Sequence, residues 1–183
     1  MKTKLFNRLA IVLTLAVFSS GCSSMKTSAD EIDRQADAAL KTLAAQVDGA
    51  QLFLDQSQGY LVFPRVVRAG FGVGGETGEG VLRIGGKTVE YMRISGGSIG
   101  LQAGAQARST VIVFMTERAL QQFRNSSGWQ VGVDGSVAII DVGAGRSFDS
   151  QNVRDPVVGF IFGSTGLMAN LTFNGSRITK IDR

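Results

Sequence analysis

The stretch that decides the fold is Val66-Val67-Arg68-Ala69-Gly70-Phe71-Gly72-Val73-Gly74-Gly75, in which glycine alternates with larger residues. An alternation of period two is typical of a β-strand, because successive side chains of a strand point to opposite faces. Here it removes the side chains from one face of the strand. We therefore expect another backbone, a bulky side chain or a sharp bend to lie against that face.

Working outward, the chain continues as a series of strand candidates. Gly85-Gly86 and Asn174-Gly175 resemble tight hairpin turns, since both supply residues that tolerate a positive φ. Strands are predicted at Tyr60–Phe63, Gly80–Ile84, Thr88–Ile94, Ser98–Ala107, Val111–Met115, Trp129–Val133, Ser136–Val142, Val157–Phe162, Leu167–Phe173 and Ile178–Ile181. Many short strands with glycine-rich turns predict a mainly antiparallel sheet, closed or packed as a barrel or a sandwich.

Helices are predicted before and within this sheet. Ser28 and Glu31 fit a capping box, and apolar residues then recur at helical spacing as far as Gln46. A short second helix is expected over residues 50–56, after Gly49. Thr116 is expected to cap an inserted helix that ends near Asn125. The predicted fold class is therefore α+β, with residues 29–183 forming a single domain.

The N-terminus has the organisation of a bacterial lipoprotein signal peptide. A basic segment, Met1 to Arg8, precedes a run of ten residues without charge, Leu9 to Phe18, and then Ser19-Ser20-Gly21-Cys22. The run is too short to cross a bilayer comfortably. Cys22 is the chain's only cysteine and stands where a lipobox places the acylated residue, although Ser19 replaces the usual leucine. We predict that residues 1–21 are removed, that Cys22 is acylated and that residues 22–28 form a tether. By resemblance to lipoproteins in general, Ser23 favours the periplasmic face of the outer membrane.

Composition excludes several classes of function. Without residues 1–21 the chain has 16 basic and 15 acidic side chains, so its net charge is +1, which argues against a broad nucleic-acid-binding surface. The chain has no histidine, and with one cysteine it offers no Cys/His metal site and no internal disulfide. We predict no metal and no cofactor.

Two motifs formally resemble catalytic or nucleotide-binding sequences. Gly70 to Gly75 satisfies G-x-G-x-x-G, but the following residues predict turn and strand rather than the helix that a dinucleotide requires. Gly96 to Gly100 satisfies G-x-S-x-G, but the chain has no histidine to activate Ser98. Two pairs of carboxylates, Glu76 with Glu79 and Asp134 with Asp141, look like solvated turn acids. We therefore expect a protein without enzymatic activity and without catalytic residues.

Arg65 and Arg68 are the candidate lipid-binding residues. They bracket two valines and lie beside Phe63 and Phe71. Basic side chains next to apolar ones suit a membrane surface or a phosphate head group. Ordinary surface arginines on a half-buried strand would give the same pattern.

Four blocks of sequence resemble the SYLF-domain family in its bacterial lipoprotein branch. They are Gly70 to Leu82, Gly97 to Gln106, Phe123 to Ala138 and Gly166 to Leu171, in that order along the chain. Eukaryotic members of the family bind acidic phospholipids, and yeast members also bind actin, which a periplasmic protein would not meet. The resemblance implies a phospholipid-binding module without catalysis. The alternative is a structural or protein-interaction module of the cell envelope, in which the acidic helix docks a partner protein that the sequence does not identify.

Overall fold

The computed structural model describes residues 27–143, 155–167 and 175–183, which form three helices and a six-stranded sheet. The helices and strands, in chain order, are α1 (Ala29–Gln46), α2 (Ala50–Gln56), β1 (Gly59–Ile84), β2 (Lys87–Phe114), α3 (Glu117–Arg124), β3 (Trp129–Gln130), β4 (Ala138–Asp141), β5 (Val157–Leu167) and β6 (Arg177–Ile181).

One long hairpin forms the centre of the sheet. β1 has 26 residues and β2 has 28, and they pair antiparallel from Gly59 opposite Phe114 to Ile84 opposite Lys87. The predicted Gly85-Gly86 turn is confirmed, because both glycines have positive φ values of 58° and 76°. The prediction of several short strands in this region was wrong. Pro64 does not end a strand; it lies in an irregularity of the pairing between Phe63 and Val66.

β1 folds back on itself at the glycine-alternating stretch. Gly72 has a φ of 69°, and a Cβ atom added to Gly70 would lie 2.4 Å from the Cα atom of Gly74. Farther from this bend, a Cβ on Gly78 would lie 2.7 Å from the Arg65 carbonyl oxygen, and one on Gly80 would lie 2.1 Å from the Val62 oxygen. Glycine is therefore required where the two halves of β1 approach each other closely, as the alternation predicted.

The sheet is mixed rather than antiparallel. The edge of β2 that does not face β1 pairs with β6 through residues 91–95 and with β5 through residues 105–114, both antiparallel. β3 continues the sheet antiparallel beyond β6, but β4 runs parallel to β5. The expectation of an antiparallel arrangement was therefore wrong at this edge. Residues 142–156 connect β4 to β5, and a connection of this length is long enough for parallel pairing. The whole sheet curls into half of a barrel.

The N-terminal helix α1 forms as predicted, and the structure places it against one face of the sheet. The Ser28 hydroxyl accepts a hydrogen bond of 3.3 Å from the Glu31 backbone N–H and so caps α1. α1 buries Ile32, Ala36 and Leu43 in one apolar cluster, which includes Val62, Val81, Val111, Phe160 and Phe162 of the sheet. This burial of apolar surface is what holds the helix on the sheet.

The inserted helix α3 closes the second apolar cluster. Thr116 accepts a hydrogen bond from the Ala119 N–H, and Leu120 and Phe123 face inward, as predicted. The Phe123 ring lies 5.0 Å from that of Phe114 and 5.8 Å from that of Trp129. The core therefore consists of two clusters, one on each face of the curled sheet.

Several predictions fall outside the described residues. They include the signal peptide at residues 1–21, the acylated Cys22 and the tether as far as residue 26. Asn174 of the predicted second hairpin turn and most of the predicted strand Leu167–Phe173 are also outside. Among the described residues, no helix combines the length and the apolar character needed to cross a membrane.

Candidate membrane-facing site

The structure separates the two predicted lipid-binding arginines. Arg65 lies at the irregularity after Phe63 and is exposed to solvent. Its guanidinium makes no ion pair with any residue in the described part of the chain. Arg68 is only 7% exposed, and its charge acts on the buried Arg108. Only Arg65 is therefore available to a head group without rearrangement of the fold.

Arg68 belongs to a buried polar cluster at the folded end of the hairpin. Arg108 donates a hydrogen bond of 3.1 Å from Nη2 to Glu76 Oε2, and both side chains are almost fully buried. Ser176, just before β6, donates from its hydroxyl to the other oxygen of Glu76. Burial lowers the pKa of Arg108, and the repulsion from Arg68 adds to this effect, whereas Glu76 and Asp141 oppose it.

This cluster joins three parts of the sheet. Glu76 comes from the second half of β1, Arg108 from the second half of β2, and Ser176 from the approach to β6. A buried ion pair is costly to desolvate, and this cost is offset only when both side chains are held in one well-defined geometry. We conclude that the cluster fixes the fold-back of the hairpin. Gln106 and Thr110 are buried next to it, and neither Gln106 Oε1 nor Thr110 Oγ1 has a hydrogen-bond partner among the described residues.

The carboxylate pairs do not form an acid–base site. Glu76 is buried, whereas Glu79 lies on the opposite face of β1 and binds Arg93 at 2.8 Å and also Arg183. Asp134 is exposed and accepts a hydrogen bond from the Gln130 backbone N–H, while Asp141 is buried at the end of β4. The expectation that all four are solvated turn acids was wrong for Glu76 and Asp141.

The two motifs resembling known signatures both lie in strands. Gly70 to Gly75 forms the bend of β1, and Gly96 to Gly100 is part of β2. Neither stretch opens a helix. In the described part of the chain, no three carboxylate, cysteine or histidine residues lie close enough together to hold a metal ion.

The acidic residues of α1 are engaged within the protein. Asp37 Oδ1 accepts a hydrogen bond of 2.6 Å from Arg83 Nη1. Asp33 accepts hydrogen bonds from the hydroxyls of Thr88, at 2.6 Å, and Tyr91, at 2.7 Å. Partial burial raises the pKa of Asp33, but these two hydrogen bonds and the charge of Arg83 outweigh it and leave that pKa below its ordinary value. The polar face of the helix is thus partly used to dock α1 on the hairpin.

The folded end of the hairpin exposes apolar side chains and no charge. We call residues 69–75 of β1 together with residues 97–105 of β2 the uncharged apex. Phe71 is 86% exposed and Val73 is 67% exposed. The chain has no charged residue at positions 69–75, 94–107 or 156–176, and the end of β5 pairs with β2 beside the apex, with Leu167 opposite Ala105.

Two cavities lined by described residues lie elsewhere on the surface. One of about 210 Å³ is lined by Glu90, Phe123, Arg124 and Lys180, and the Lys180 ammonium lies 3.2 Å from Glu90. The other, of about 340 Å³, lies between α2 and the Gly85-Gly86 turn. Neither cavity includes Arg65, Arg68 or the uncharged apex.

Sequence reasoning selected Arg65 but missed Phe71 and Val73 as surface residues. The available signal was the absence of charge on both strands of the hairpin around the glycine stretch. The sequence analysis used only the glycine alternation, which it attributed to close packing, and apolar residues in a strand are ordinarily expected to face a core. The ion pair of Glu76 with Arg108 had no sequence signal, because 32 positions separate the two residues.

The fold defines an α+β domain in which an N-terminal helix covers a curled, mixed sheet. Residues 95–183, from the first half of β2 to the end of the chain, match the family model described as "Ysc84: Las17-binding protein actin regulator". This match confirms the resemblance to the SYLF-domain family for residues 95–183. No curated protein is similar enough to the chain to count as a match. The assignment to a bacterial lipoprotein branch stays a prediction.

Proposed function

We propose that the protein is a lipid-anchored protein of the bacterial cell envelope whose domain binds phospholipid without catalysis. The acyl chains are attached to Cys22, and the domain lies at the periplasmic face of the outer membrane. The signal-peptide organisation of residues 1–22 and the match to the SYLF-domain family support this proposal. Each buried methylene of an acyl chain contributes about 0.8 kcal/mol, so more than one chain holds the protein firmly.

The observation that carries the lipid-binding proposal is the exposure of Arg65 on the strand that leads to the uncharged apex. Its guanidinium is exposed and has no acidic partner among the described residues. Six positions later on the same strand, Phe71 is exposed as well. An exposed cation on the strand that leads to exposed apolar side chains suits the head-group region of an anionic bilayer, where each basic residue contributes about 1 kcal/mol.

Arg68 is left out of the head-group contact in this proposal, since it is buried beside the ion pair of Glu76 and Arg108. The alternative, a protein-interaction module docked through the acidic helix, has less support. Asp33 and Asp37 of that helix already bind Arg83 and its neighbours. The remaining acids of α1 include Asp30 and Glu31, and Glu31 accepts hydrogen bonds from Gln35 and Arg34.

Vesicle flotation of the protein without its acyl chains tests the proposal. We expect flotation with anionic vesicles that weakens as salt is raised, because charge attraction at a surface is screened. Arg65→Gln is expected to lower the partition coefficient roughly fivefold. Arg118→Gln is the matched control, since Arg118 is also exposed, lies on α3 and carries the same charge. Absence of flotation with any lipid, or an equal effect of the two variants, would contradict the proposal.

A further inference from the structure

We infer that the uncharged apex inserts into the interfacial region of the bilayer, with Phe71 and Val73 as the inserted side chains. This inference rests on the proposed function and names the surface that meets the lipid. Five large apolar side chains are exposed in the described part of the chain: Leu52, Phe71, Val73, Val89 and Val133.

The charges around these side chains distinguish the apex from the other three positions. Leu52 lies three positions from exposed Asp55, Val89 two from exposed Lys87, and Val133 next to exposed Asp134. The charged residues nearest to Phe71 and Val73 along the chain are Arg68 and Glu76, and both are buried. Insertion at the apex therefore brings no neighbouring exposed charge into the bilayer, where charges are costly.

Most of the backbone of the apex is paired within the protein. Gly70 pairs with Gly104 and Phe71 with Ala103 before the bend, and Val73 pairs with Ile99 after it. The register shifts between Phe71 and Val73, and Gly72 at the bend has no partner on β2. The paired backbone can enter an apolar region without leaving its polar groups unsatisfied, and the interfacial region supplies water and head groups to the bend itself. The phenylalanine side chain then contributes through the apolar area that leaves water.

The proposed anchor keeps the domain close enough for this contact. The first residue of α1, Ala29, follows Cys22 by seven positions, and seven extended residues span at most about 25 Å. An acylated protein therefore holds the domain at the membrane surface. The uncharged apex is the surface of the domain that loses the least hydration free energy on contact with lipid.

Tryptophan scanning with depth-dependent quenching tests the inference. The full chain is isolated from membranes and reconstituted into vesicles of phosphatidylethanolamine and phosphatidylglycerol that carry brominated acyl chains. Phe71→Trp places a reporter at the apex. Leu52→Trp is the matched control, because Leu52 is 61% exposed and lies on α2, which lines a cavity with the Gly85-Gly86 turn at the opposite end of the hairpin. Native Trp129 is buried and gives a constant background.

We expect bromine to quench the fluorescence at position 71 at least twofold and to leave that at position 52 unchanged. We also expect Phe71→Ser to weaken vesicle binding of the unacylated protein about tenfold, whereas Leu52→Ser has no effect. Vesicle binding with equal quenching at the two positions overturns the inference and leaves the proposed function standing. Failure of the unacylated wild-type protein to bind any vesicle overturns the proposed function, and this inference with it.

Discussion

Gly80→Ala tests the fold-back of β1, which positions both the buried ion pair and the apex. A Cβ atom at this position would lie 2.1 Å from the Val62 carbonyl oxygen and 2.7 Å from a ring carbon of Phe63. Non-bonded contacts below 3.0 Å are essentially never observed for Cβ atoms, so the two halves of β1 would have to separate by about 0.9 Å. The contacting atom is backbone, and no rotamer change can relieve the clash.

The expected loss of unfolding free energy depends on how far the buried residues around Gly80 can move. Val62 and Phe63 are fully buried, one in each apolar cluster, so a shift of the backbone disturbs both clusters. Overpacking of a well-packed core costs about 1–3 kcal/mol, occasionally more. Since the clash involves backbone on a central strand, we expect about 3 kcal/mol. For a chain of this length such a loss lowers the melting temperature by roughly 6–12 °C.

Urea unfolding followed by the fluorescence of Trp129 measures this loss, because that side chain is buried in one of the clusters. Gly97→Ala is the matched control. A Cβ on Gly97 meets nothing within 4 Å, and its φ is not positive. Alanine there should be neutral or stabilising by up to about 1 kcal/mol, because it reduces the freedom of the unfolded chain. Equal unfolding free energies for the two variants would refute the fold-back.

Two further predictions concern the charged contacts. Glu76→Gln removes the carboxylate that pairs with the buried Arg108 guanidinium and should destabilise the protein by about 3–5 kcal/mol in urea unfolding. Glu90→Gln breaks an exposed pair and should cost under about 1 kcal/mol. Similar losses for both variants would contradict the burial of the pair. Because the pKa of Asp33 is lower in the folded protein than in the unfolded chain, its ionised form stabilises the fold above pH ~4 and this stabilisation is lost as the pH falls through the folded pKa. The difference in unfolding free energy between wild type and Asp33→Asn should therefore shrink between pH 6 and pH 3, and a difference independent of pH would argue against the docking of α1 through this carboxylate.

The helices and the tight turn could be predicted because their signals are local. Ser28 and Thr116 cap α1 and α3 through hydrogen bonds to residues three positions later. The Gly85-Gly86 turn needs two residues that accept positive φ, and glycine pairs do so without strain. Such interactions depend on a few neighbouring residues, and a linear pattern is enough to reveal them.

The lengths of β1 and β2 and the mixed sheet could not be predicted from pattern. Glycines and Pro64 interrupt the apolar runs and suggest strand ends, yet the hairpin continues through them by bending. The parallel pairing of β4 with β5 has no signal in the residues of either strand. Pairing between distant strands is a property of the whole sheet.

In the candidate site, too, some features could be predicted from the sequence and others depend on tertiary structure. By itself the sequence determined the charge-free stretches, the single cysteine, the absence of histidine and the glycine alternation, because these are matters of composition and spacing. Arg65 and Arg68 are three positions apart on one strand, so the period of two already places their side chains on opposite faces. Tertiary structure alone decided that Arg65 lies on the exposed face and Arg68 on the buried one. It also decided that Phe71 is a surface residue, because the fold-back places the bend beyond the reach of both cores. Burial depends on which other segments cover a residue, and these segments come together only when the whole sheet has bent at its glycines.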